Sequence, residues 1–188
     1  GLGVASQAES PEMNSPAGTL EVKTPLRGDV IVLAPTPFNR FHSAFSLASD
    51  SALVFTLDPA GLGEGVNVQR FGCFGEDVRS PVPGEVIRLE DTFADRNSSG
   101  AVPEVMENPL GNHIWIRTAD EGLVGIGNLK KGSLLAEVGQ EIRAGETIGH
   151  CGLSGAFTEP MVFLVTVDGA DPPDALAETK GPKVILNE

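Results

Sequence analysis

The chain has 188 residues, a formal net charge of −13 and 40% hydrophobic residues, a length that suits one domain with its own core plus an extra arm. Its acidity argues against binding DNA or RNA, where cationic side chains on phosphates supply most of the affinity, and against docking on anionic lipid. No apolar run approaches the roughly 20 residues that a membrane helix needs.

Residues 1–18 are rich in Ser, Pro, Ala, Gly and Glu without apolar periodicity and read as a flexible N-terminal arm. The opening Gly-Leu-Gly-Val has no Met and no charged n-region, as expected of a chain whose targeting segment has been removed. Strand signals begin at Thr19 with LEVKTPL and DVIVLAP, followed by a Pro/Ser/Ala-rich loop carrying Phe38, Phe41, His42 and Phe45. ALVFTL at Ala52–Leu57 has the run of apolar residues expected of a buried strand. A glycine-punctuated loop follows Asp58, and after Pro81, Pro83 and Gly84 the phrase GEVIRLE alternates apolar with polar. Asp91–Asn108 reads as a long, acidic surface loop. Beyond it, short strands recur about every ten residues with turns between them, the rhythm of an all-β sandwich or barrel.

EVGQEIRAGETIG places Gly139 and Gly145 at the ends of two short turns, with Ile142 and Ile148 between polar residues. Each glycine supplies a positive φ or a close backbone approach. Such phrases occur in barrel-sandwich hybrids, lipoyl-type domains included. A lipoyl or biotinyl carrier needs a modifiable Lys at a hairpin tip, and Lys130–Lys131 lies before the phrase without the usual flanking context. The only two cysteines, Cys73 and Cys151, read first as buried small apolar residues; a single disulfide stays open for an exported chain.

Five phrases in order, ALVFTLD, SPVPGEVIRL, GNHIWI, GNLKKGS and TEPMVFLVTV, resemble the lysostaphin/LytM-type zinc peptidases, which are peptidoglycan endopeptidases. The resemblance runs from about Leu20 to Val167 and implies a barrel-sandwich hybrid, the duplicated hybrid motif, with short strands and long loops. It divides the chain into the arm 1–18, a peptidase-type β domain 19–168 and a C-terminal tail 169–188 that packs in part. The family's zinc ligands are a His, the Asp after the apolar strand and the second His of a His-x-His phrase. Two further His act in catalysis, one from a His-Leu phrase and one from the first position of His-x-His.

Carried across, the resemblance assigns Asp58 to the ligand Asp. The first ligand falls on Val54 in the compact His-x-x-x-Asp form, or on His42 in the subfamily with a loop His, at a separation of 58 − 42 = 16 residues. The third ligand position holds Phe163, and the catalytic positions hold Asn128 and Met161. Catalytic zinc needs about three N, O or S donors and an open water position. Phe has no donor atom, Met suits softer metals, and Asn cannot shuttle a proton at neutral pH. His42 and Asp58 are thus the candidate metal residues, and no catalytic residue is assigned. Asp58 reads equally as the turn-forming Asp before Pro59. Met161 and Phe163 lie two apart and face one side of a strand, so with Asn128 they are expected to line the old groove as an apolar floor.

The resemblance therefore points to a non-catalytic, extracytoplasmic module of the cell envelope that binds a peptide, a cell-wall peptide or a partner protein and carries no cofactor. The alternative is an active zinc endopeptidase with substituted ligands, drawn from His42, Asp58 and Glu159 or His150. A carrier or phosphotransfer module on a similar hybrid barrel is a third reading; phosphotransfer would need paired groove histidines, and the chain has only three His.

Overall fold

The structure, a computed structural model, describes residues 18–34, 51–102, 107–174 and 180–187. The strands are β1 (Thr19–Val22), β2 (Val30–Leu33), β3 (Ala52–Leu57), β4 (Asp77–Arg79), β5 (Gly84–Glu90), β6 (Asn112–Arg117), β7 (Leu123–Leu129), β8 (Glu141–Ile142), β9 (Thr147–His150), β10 (Val162–Val167) and β11 (Lys183–Leu186). A short 3-10 turn lies at Val68–Arg70. The chain is all-β, with short strands and long loops, as the turn rhythm indicates.

Seven strands form one sheet in the order β2-β3-β10-β7-β6-β5-β8, which does not close on itself. Strand alternation divides its side chains between two cores. On one face, Phe55, Leu57, Ile114, Ile116, Val124, Ile126, Val162 and Leu164 pack under two small sheets, the parallel pair β1-β11 and the antiparallel pair β4-β9. On the other face, Ala52, Val54, Trp115, Leu123, Phe163, Val165 and Val167 pack under loops. Trp115 lies opposite Gly125, where a Cβ would fall 2.8 Å from its ring, so the glycine makes room for the indole.

The residues beyond 168, expected as a partly packed tail, supply β11. It pairs in parallel with β1 and buries Val184 in the core. The two glycine turns repeat each other. The Gln140 and Glu146 backbone N–H groups donate to the Glu137 and Arg143 carbonyls. In return the Gln140 and Glu146 side chains accept from the Glu137 and Arg143 N–H groups at 3.0 and 3.1 Å. Gly139 and Gly145 carry φ of 92° and 89° at matching positions, which an L side chain adopts only under strain.

Cys73 and Cys151 correct the first reading of their sequence: they are joined as a disulfide, with Cα atoms 5.7 Å apart across 78 residues. Sequence distance carried no information on this, because the pairing depends on β9 returning beside β4 and the chain just before it. A cross-link over so long a loop stabilises chiefly by restricting the unfolded chain, typically by about 2–4 kcal/mol. The double variant Cys73→Ser/Cys151→Ser is expected to lose that much in a denaturant titration. A midpoint equal to that of the parent would show that the bridge contributes nothing in solution.

Candidate functional site

The positions at which the resemblance looks for chemistry lie on the loop-covered face of the large sheet and at the ends of its strands. Phe163 on β10 is fully buried, and its ring packs on Phe157 with centroids 5.5 Å apart. Met161, just before β10, is 5% exposed in the same apolar cluster as Phe157, Leu110, Leu153 and Ala156. Val54 on β3 is fully buried beside them. Met161 and Phe163 do share a face, as the two-residue spacing indicates, but that face is packed core rather than the floor of an open groove.

Asn128, near the end of β7, is fully buried and has φ of 65°. Asn tolerates this left-handed region better than most residues. The conformation breaks the strand's alternation: Leu123 packs on the loop-covered core, whereas Leu129 crosses to the opposite one. The amide Nδ2 donates to the carbonyls of Gly152 (3.1 Å) and Met161 (2.7 Å), and Oδ1 accepts from the Gly155 N–H (2.8 Å). The backbone N–H donates to Leu110 at 2.6 Å and the carbonyl accepts from Gly152 at 3.0 Å. Asn128 is thus a brace between β7, the 152–155 turn and the start of β10, with both amide hydrogens engaged.

The loops above this face are knitted to one another. Ser99 Oγ donates to the Gly63 carbonyl (2.5 Å) and accepts from the Val66 N–H (3.0 Å). Glu159 accepts from the Gly61 N–H at 2.9 Å. The acidic segment after β5, read from sequence as a surface excursion, is pinned by its carboxylates. Asp91 accepts from Gly132 and Leu134, and Asp95 from Lys131 and Leu153. Sequence reasoning missed this clamp and also Phe157, the plug beside Phe163. Its only signal was a lone aromatic in a run of small residues, GLSGAFTEP.

Asp58 follows β3 at an exposed bend, joined to Pro59 by a cis peptide bond. Its backbone is closely approached by Gly72, where a Cβ would strike the Asp58 carbonyl. His42, the other candidate metal residue, lies outside the described residues. His150 Nε2 lies 3.1 Å from Asp77 Oδ1, across the β4-β9 pair. His113 Nδ1 lies 2.8 Å from the Gly111 carbonyl; burial pushes its pKa down, opposed by that carbonyl and by Glu90. Among the described residues no group of three or more His, Cys, Asp or Glu side chains is placed to share a metal ion. The described donors do not make up a three-ligand zinc site of the resembled kind. Val54 and Phe163 carry no donor atom, and both are enclosed by apolar side chains.

No helix among the described residues is long and apolar enough to cross a membrane. No protein-family model and no curated protein matches the chain. Solved structures similar to it include the catalytic domain of the antimicrobial peptidase lysostaphin from Staphylococcus simulans, at 15% identity and a TM-score of 0.43, covering 70% of this chain and 74% of that one. A zinc-containing peptidase from Vibrio cholerae aligns at 16% identity and a TM-score of 0.48, over 85% of this chain and 40% of that one. A putative glycyl-glycine endopeptidase, LytM, from Ruminococcus gnavus aligns at 14% identity and a TM-score of 0.47, over 96% of this chain and 63% of that one. The chain spans 44% of the length of the whole lysostaphin structure.

Proposed function

We propose that this chain is a non-catalytic, peptidase-like domain of the cell envelope that acts as a binding or scaffold module. One observation carries the reading: the residues at the resembled ligand and catalytic positions, Phe163, Met161 and Asn128, are spent on packing and bracing the fold. A fully buried Phe cannot give a lone pair to zinc, and an Asn with both amide hydrogens engaged cannot act as a proton shuttle. The Cys73–Cys151 bridge supports an extracytoplasmic location, since such bonds persist in oxidising compartments. The ligand class follows the resemblance: a cell-wall peptide or a segment of an envelope protein.

Metal analysis and turnover test this together. After dialysis against trace zinc, the purified chain is expected to hold no stoichiometric metal and to leave purified peptidoglycan uncleaved. About one zinc per chain with cleavage of peptidoglycan would overturn the proposal. It would make His42, Asp58 and Glu159 the first residues to replace.

A further inference from the structure

The large sheet ends at β2, and among the described residues nothing pairs with its outer edge. Proteins commonly blunt such edges with charge, proline or a bulge. The sequence of β2 is Val-Ile-Val-Leu, with Ile31, Val32 and Leu33 36–39% exposed. Val32 faces the same way as its β3 partner Phe55. On this side β2 and the β1-β11 pair leave a groove of about 430 Å³, lined by Leu26, Val30, Val32 and Leu186 together with Lys23 and Arg27.

Charge is the second observation. The chain carries 26 acidic and 13 basic residues, yet the groove lining holds two cations and no carboxylate. Lys23 and Arg27 are both exposed, and neither forms an ion pair among the described residues. Acids near it include Glu21, which accepts a hydrogen bond from Asn187, Asp29 in the bend before β2, and Asp58 beside Leu57, the β3 partner of Val30.

The geometry points to β2 and its groove as a docking site for an extended, acidic segment of a partner protein. The segment adds one strand to the sheet, as in other cases of β-augmentation. Its main chain pairs with β2, and its apolar side chains enter the groove against Val30 and Val32. Its carboxylates meet Lys23 and Arg27. Four residues of β2 give a contact about 13 Å long, enough for a short linear motif. This site is separate from the packed positions around Phe163, so it stands or falls independently of the reading proposed above.

The test uses the full chain and a fluorescein-labelled, end-capped peptide of alternating Val and Glu, followed by fluorescence polarisation. The Val-Glu peptide is expected to bind, and its Val-Lys counterpart to bind at least about tenfold more weakly. N-methylation of alternate peptide amides should abolish binding by removing the ladder donors. The variant Lys23→Glu/Arg27→Glu should weaken binding about tenfold without lowering the melting temperature, because both side chains are exposed. The proposal is overturned if the Val-Glu peptide fails to bind, or if the Val-Lys peptide or the charge-reversed variant binds equally well. It is also overturned if light scattering shows a dimer that the charge-reversed variant dissociates, since the edge would then belong to a second copy of the chain.

Discussion

Phe163→Ala is expected to lower the free energy of unfolding by about 3–5 kcal/mol, the range for deleting a fully buried Phe ring from a packed core. Phe163 is wholly inaccessible and stacks obliquely on Phe157, with Leu153, Ala156 and Met161 in the same cluster. Chemical denaturation of the parent and variant measures the difference directly. A loss below about 1 kcal/mol would mean that the ring lines open space, as a groove floor would, because little would then be buried. Phe163→His, which places imidazole where the resemblance looks for a ligand, should also be strongly destabilised. Its ring nitrogens would be buried among apolar side chains without partners.

Asn128→Ala should cost at least about 3 kcal/mol. It strands the Gly152 and Met161 carbonyls and the Gly155 N–H, and a buried polar group left without its partner costs about 1–3 kcal/mol. The left-handed backbone at this position adds about 1–2 kcal/mol against alanine. Asn128→Gly separates the two effects, since glycine relieves the backbone cost but leaves the same three groups unpaired. Asn128→Asp should be no milder than alanine, because it presents carboxylate oxygens to two carbonyls that now accept N–H bonds. If Asn128→Asp matched the parent in a thermal melt, the bracing role would be wrong and Asn128 would be free for another task.

Much of the fold is legible from local pattern. Alternation in GEVIRLE and GNHIWI and the apolar run ALVFTL mark β5, β6 and β3 because side chains on a strand alternate between two environments. Gly139 and Gly145 mark two turns because the positive φ required there penalises every other residue. That Phe163 offers no donor atom and Met161 only a soft thioether can likewise be read without coordinates, since this follows from the residue type wherever the side chain points.

Contacts between residues distant in sequence could not be read in that way. Nothing local to Cys73 and Cys151 announces that β9 brings them within bridging range. Nothing in KVIL shows that it returns to pair in parallel with Thr19–Val22. Whether Met161 and Phe163 line a groove or fill a core depended on Phe157 and Leu110, which reach them from other loops. By itself the sequence determined the strand and turn elements and the donor chemistry of individual side chains, because both depend on the residue and its immediate neighbours. The tertiary structure alone decided the disulfide, the packing around Phe163 and, among the described residues, the unpaired edge at β2, because each depends on which distant segments the packed sheets bring together or leave apart.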